Sequence, residues 1–189
     1  LGAAAGEAPA DIAKQAFEMR LAGQVDEAVA VLENGLTKHT QSGVLNYELA
    51  RAKLYLLDIE GMQKAAEAAT LCEPDNPEYR YFAAMASGYS VIDAAHKNDQ
   101  ERMNALGRRA FDELHAALAA DPDHHLSRYR LVQLSMDLAP DIGLEVDDPE
   151  DDVCLLEEKD PVLGAKARAC LVDDQKKREL WARVIEDHP

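Results

Sequence analysis

Aromatic residues make up only 5% of this 189-residue chain, so no large aromatic core is available. Cysteine is nearly absent: Cys72, Cys154 and Cys170 are too few and too scattered for a disulfide framework, and no CxxC pair exists to hold zinc. A Cys154–Cys170 bridge is open to an exported chain, but nothing in the spacing requires it. Basic residues are scarce as well, 20 Lys and Arg against 36 Asp and Glu, a formal charge of −16. Such a balance opposes phosphate neutralisation and docking on anionic membranes, and its long-range field draws a neutral or basic partner. No apolar run approaches the roughly 20 residues that span a bilayer. Period-two runs of β-branched residues are missing too, which excludes sheets. The motifs of common catalysts (GxSxG, the P-loop, GxGxxG after a strand, HExxH) are also absent, so the reading is a non-enzyme with no cofactor.

What the chain does have is alanine, the best helix former, and a regular alternation of helical pattern and breaker. Apolar positions recur at helical spacing, as Ala28, Val31, Leu32 and Leu36 do. The pattern predicts helices over 10–22, 25–38, 43–57, 60–72, 77–97, 103–120, 125–138, 150–158, 161–172 and 175–187. Proline-bearing turns at Pro74-Asp75-Asn76-Pro77, Asp121-Pro122, Ala139-Pro140 and Asp160-Pro161 separate several of them. Short connections make consecutive helices antiparallel neighbours, so the fold class is all-α. Residues 1–9 read as a flexible N-terminal segment and 10–189 as one superhelical domain with an acidic loop over 141–152. The small, unpatterned start, Leu1 to Ala10, suits the end left by signal cleavage or an unrelated cut, which places an exported or periplasmic location ahead of the cytoplasm.

One interval organises the helices. Tyr47 to Tyr81 and Tyr55 to Tyr89 are each 34 residues. Helical hairpins of about that length stack into solenoids, and a residue returning at the repeat period returns to the same place on successive hairpins. The hairpin endings Ala69-Thr-Leu-Cys-Glu-Pro74 and Ala117-Leu-Ala-Ala-Asp-Pro122, with a weaker Gly35-Leu-Thr-Lys-His-Thr40, resemble the tetratricopeptide repeat (TPR). Later versions run from Leu156 to Pro161 and from Val184 to Pro189, and the Gly23-to-Ala28 turn is also typical. The resemblance covers nearly the whole chain and implies a right-handed α-solenoid of about five antiparallel hairpins. Pro74 to Pro122 is 48 residues, so the third unit carries about 14 extra. Ala139-Pro140-Asp141-Ile142-Gly143-Leu144 resembles an Ala-Pro-x-x-Gly-Gly segment of bacterial TPR proteins, with the second Gly lost.

The resemblance implies that the first helix of each hairpin lines the concave surface. Tyr47, Tyr81 and Tyr129 then share one position, and Tyr55 and Tyr89 a second, two turns further on. Phe17, Arg20, Arg51, Met85, Gln133 and Met136 fall on the same face. Tyrosine offers a large apolar body with a hydrogen-bonding tip, and arginine pairs with carboxylates in bidentate fashion. This face is therefore expected to bind a peptide or partner protein. Packing of the same aromatics on one another to close the inner surface remains the alternative, and so do self-assembly and small-ligand or cation binding. The Lys/Asn carboxylate clamp of the family is not recognisable. The acids from Asp141 to Asp160 fail the EF-hand template and read as a solvated loop leading into a helix N-terminus, so no metal site is assigned. Asp123 reads as a helix cap, and Trp181 as packed on a face with Val184 and Ile185.

Overall fold

The computed structural model describes residues 7–187, without the side chains of residues 174 and 183–187. Residues 1–6 of the N-terminal segment, His188 and Pro189 of the last hairpin ending, and the Val184 and Ile185 partners expected for Trp181 lie outside the described residues; Trp181 itself is half-buried. The described residues form ten helices and no strand: α1 Pro9–Leu21, α2 Val25–Lys38, α3 Gly43–Tyr55, α4 Ile59–Cys72, α5 Pro77–His96, α6 Gln100–Ala120, α7 His125–Asp137, α8 Glu150–Lys159, α9 Pro161–Leu171 and α10 Asp174–Asp187.

Local chemistry sets the starts. Pro9, Pro77 and Pro161 occupy the first turns of α1, α5 and α9, where a missing N–H costs nothing. Ser42, Asp58, Asn76, Asp99 and Asp160 accept hydrogen bonds from the first-turn amides of α3, α4, α5, α6 and α9. The Asp99 cap explains why α6 begins at Gln100, three residues before the apolar pattern sets in. At α7 the cap is His124, whose Nδ1 accepts from the Ser127 amide at 3.2 Å. The expected cap, Asp123, instead donates its own amide to Asp121 Oδ1.

The ends are equally local. The turns closing α1, α3 and α5 bond Gln24 N to Met19 O, Asp58 N to Lys53 O and Asp99 N to Ala94 O. Each has one left-handed residue, Gly23 (φ 81°), Leu57 (φ 56°) and Asn98 (φ 55°). This arrangement satisfies helix-end carbonyls and normally uses glycine, which has no Cβ, or asparagine, whose short polar side chain hydrogen-bonds locally in that conformation. Leu57 is the exception, and its side chain is 77% exposed. It also ends α3 at Tyr55, two residues short of the periodic pattern.

Consecutive helices pair as α1·α2, α3·α4, α5·α6, α7·α8 and α9·α10, and each second helix packs on the next hairpin's first. The result is a right-handed α-solenoid of five antiparallel hairpins. Its core is built from small side chains: Ala16, Ala28, Ala50, Ala52, Ala69, Ala86, Ala110 and Ala117 are all fully buried. They let helix axes approach closely, while Leu32, Leu45, Met62, Leu114 and Leu156 fill the larger spaces. Ion pairs tie neighbouring hairpins together, among them Arg109 (α6) with Glu67 (α4) at 2.5 Å and Arg168 (α9) with Glu150 (α8) at 2.6 Å.

The extra length of the third unit is divided equally. Helix α5 has 20 residues where α3 has 13, and α6 has 21 where α4 has 14. Each gains about two turns, so the hairpin projects ~10 Å beyond its neighbours. The projection supports the next loop. Leu138, Ala139 and Ile142 are buried against Val91, Ala94 and Leu106. A Cβ on Gly107 would stand 2.8 Å from Ile142 Cδ1, so the bare position lets the loop side chain sit close against α6. The acidic stretch that follows is partly consumed by structure: Asp152 pairs with Arg128, Glu150 with Arg168, and Glu150, Asp151 and Asp152 sit in the first turn of α8.

Candidate partner-binding face

The candidate side chains sit on α1, α3, α5 and α7, the first helices of the first four hairpins, and they divide into two rows. The row nearer the helix starts is used in packing. Tyr47 stacks on Tyr79 of the next hairpin at 5.0 Å and meets Phe82 edge-on at 5.5 Å. Its hydroxyl donates to Glu78 Oε1 at 2.5 Å. Burial first, and Glu78 second, push the Tyr47 phenol well above its ordinary range. Tyr81 lies 5.6 Å from the His124 ring, and His124 Nε2 is 3.3 Å from Glu78 Oε2. Tyr129 packs on the cluster of Val132, Val153, Leu156 and Ala167. Burial raises the pKa of both phenols.

The second row, two turns on, is open. Tyr55 is 59% exposed and Tyr89 37%. Beside Tyr89, a cleft of about 370 Å³ opens between α5 and α7, lined by Met85, Tyr89, Ile92, Arg130, Gln133 and Leu134 among others. Arg130 is fixed in its wall, donating to Gln133 Oε1 at 2.7 Å and contacting Met85 Sδ at 2.5 Å. Met136 is exposed on the same helix.

Arg20, Arg51 and Phe17 form a separate cluster across α1 and α3. Arg20 is only 3% exposed. Its Nε donates to Glu48 Oε1 at 2.7 Å, and Arg51 Nη1 reaches Glu48 Oε2 at 3.3 Å. The Arg20 guanidinium carbon lies 5.2 Å from the Phe17 ring centroid and 5.0 Å from that of Tyr55. Arg51 stands 5.6 Å from Phe17 and 5.4 Å from Tyr47. These distances are in cation–π range. Both arginines, expected to face a ligand carboxylate, thus already share one carboxylate of this chain.

Sequence reasoning missed Glu48, Tyr79 and Arg130, and read His124 only as part of an inter-hairpin turn, not as a neighbour of Tyr81. Glu48 had a legible signal: it stands three residues before Arg51 on one helix, a spacing that places acid and base side by side. Arg130 and Gln133 have the same spacing. Tyr79 carried no signal, because it lies outside the 34-residue series and meets Tyr47 only through the stacking of hairpins.

Elsewhere, a cavity of about 400 Å³ between α6, α7 and the acidic loop is lined by Asp112, Asp147 and Asp148 but also by Arg108 and His115. Among the described residues, no group of three or more His, Cys, Asp or Glu is placed to hold a metal ion, and no helix is long and apolar enough to cross a membrane. Cys72, Cys154 and Cys170 are free thiols.

No family model matches the chain, and no curated protein does. Solved structures do. A thermophilic TPR protein of Thermus thermophilus is similar with a TM-score of 0.72 and 16% identity, over 96% of this chain and 92% of that one. A mutant O-GlcNAc transferase of Thermobaculum terrenum is similar with a TM-score of 0.58 and 15% identity, over 82% of this chain but 26% of that one. Five stacked hairpins, their left-handed turns and these two likenesses lead to one conclusion: the chain has the tetratricopeptide-repeat fold.

Proposed function

We propose that the chain is a non-enzymatic scaffold that binds a peptide or partner protein along the inner face of its first four hairpins. The observation that carries the reading is the contrast between the two rows. Tyr47, Tyr81 and Tyr129 commit much of their surface to packing between hairpins, whereas Tyr55 is largely exposed and Tyr89, with the half-buried Met85 and Gln133, lines an open cleft. An extended segment lying along that row would meet rigid aromatic anchors, which lose little rotamer freedom on binding. The likeness of the fold to TPR structures supports a protein-binding role in general, and the catalytic motifs missing from the sequence support a non-enzyme.

The test is capture of partners from native extract by three proteins: the unaltered chain, a Tyr55→Ala/Tyr89→Ala/Gln133→Ala variant, and a Leu71→Ser variant on α4, where Leu71 is 83% exposed. A partner held by the first and third but lost by the second supports the inner face. A partner retained by the inner-face variant refutes it.

A further inference from the structure

We propose that the cavity between α6, α7 and the loop leading to α8 binds a small organic cation, an ammonium group carried on an apolar body. The site shares no lining residue with the cleft beside Tyr89 and stands independently of the scaffold reading. Its volume of about 400 Å³ falls within the roughly 300–1,000 Å³ of small-molecule sites. The buried Phe111 and Leu131 and the half-buried Leu144 give it an apolar wall, and Val146 extends that wall to the surface. Such a wall suits the body of an organic ligand. It also lies away from the row of tyrosines, on the second helix of the third hairpin and the connection that follows α7.

Charge identifies the other end of the ligand. The exposed side chains Asp112, Glu145, Asp147 and Asp148 border the cavity, against one guanidinium, Arg108, and one imidazole, His115. Asp152 also borders it but is paired with Arg128. The carboxylates of Asp112, Glu145 and Asp147 have no hydrogen bond or ion pair among the described residues. Among those residues no three His, Cys, Asp or Glu side chains converge to hold a metal ion, so the acids are spread around the cavity. Spread carboxylates beside an apolar wall match an ammonium group, which turns three N–H donors outward from a hydrocarbon stem. The net charge of −16 draws such a cation in. The loop is fixed before a ligand arrives. Ile142 is buried against α6 beside Gly107, Leu144 N donates to Ala139 O at 2.9 Å, and Asp152 holds the far end through Arg128.

The probe is 2-phenylethylamine, protonated at neutral pH, titrated into the full chain by calorimetry while backbone amide signals are followed by NMR. 2-Phenylethanol keeps the apolar body without the charge, and ammonium chloride keeps the charge without the body. The expected result is saturable binding of the amine that moves the amide signals of Asp112 and of residues 144–148, with either control at least about tenfold weaker. Asp112→Asn/Asp147→Asn should weaken the amine about fivefold or more. Glu18→Gln/Glu27→Gln removes as much charge from exposed positions on α1 and α2 and should change binding by less than about twofold. No saturable binding, alcohol binding as tight as the amine, or equal losses in the two double variants overturns the proposal. Binding of acetyl-Phe-Lys-amide with the amine unbound also overturns it, because the occupant is then a partner's lysine. The comparison of amine with alcohol uses the unaltered chain, so it stands whether or not the variants fold, and none of these outcomes bears on the inner-face capture experiment.

Discussion

Two rows of tyrosine share one sequence period and have opposite fates. Tyr47 and Tyr81 near the helix starts are half-buried between hairpins, while Tyr55 and Tyr89 two turns later are open. The difference lies in what stands opposite. At the starts of the first helices of the hairpins the next hairpin supplies Tyr79, Phe82, Glu78 and His124 as partners. Near the other end, α5 runs on for about two turns more than α3 or α7, and a cleft opens between α5 and α7 beside Tyr89. A repeat period fixes equivalence of position, and the local fit of neighbouring hairpins decides whether that position is core or surface.

The contrast between the rows can be tested at several points. The largest effect is expected at Glu48, the acid in the middle of α3 that pairs with Arg20 in the last turn of α1. Glu48→Ala leaves Arg20 buried without its counter-charge and should cost about 3–5 kcal/mol in denaturant unfolding. Next comes Tyr47→Ala, which removes a stacked ring, an edge contact and the hydrogen bond to Glu78; the expected loss is roughly 3 kcal/mol.

The third probe is alkaline pH. Burial pushes the Tyr79 phenol up to about 12, from an ordinary value near 10. A folded-state pKa above the unfolded one contributes stability that is complete below about pH 10 and fades as pH rises through 12. Tyr79 should therefore account for a loss of roughly 2 kcal/mol across that window, added to those from the other raised phenols Tyr47, Tyr81 and Tyr129, and Tyr79→Phe should reduce the total fall by that share in a pH-dependent melting series. A smaller change is a gain: Leu57→Gly relieves a bulky residue at positive φ and should raise stability by up to about 1 kcal/mol. Last, Tyr55→Ala should change stability by no more than ~0.5 kcal/mol, because the ring is mostly in water. A Tyr55 loss as large as that of Tyr47 would erase the distinction between the rows.

Much of the fold was legible because its signals are local. Helix limits follow from caps and left-handed turns, and most lie within two residues of the apolar pattern. The exception at α6 came from Asp99, a capping residue inside a polar patch that periodicity alone does not see. The 14 additional residues of the third unit were visible as a lengthened proline interval, but not their division into two turns per helix. Nor was their use as a support for Leu138, Ala139 and Ile142. Among the side chains of the face, repeat register put Arg20 and Arg51 on a common side but left unsaid that Glu48 already joins them.

Class, hairpin order and the 34-residue equivalence were written in the chain itself, because helix propensity, capping and turn chemistry act over a few residues. Which of the equivalent side chains are buried was settled only when the hairpins packed. Packing joined Arg20 to Glu48 across two helices, stacked Tyr47 on Tyr79, and opened the cleft beside Tyr89. Those outcomes depend on how closely neighbouring hairpins approach, a property of packed surfaces that no single segment encodes.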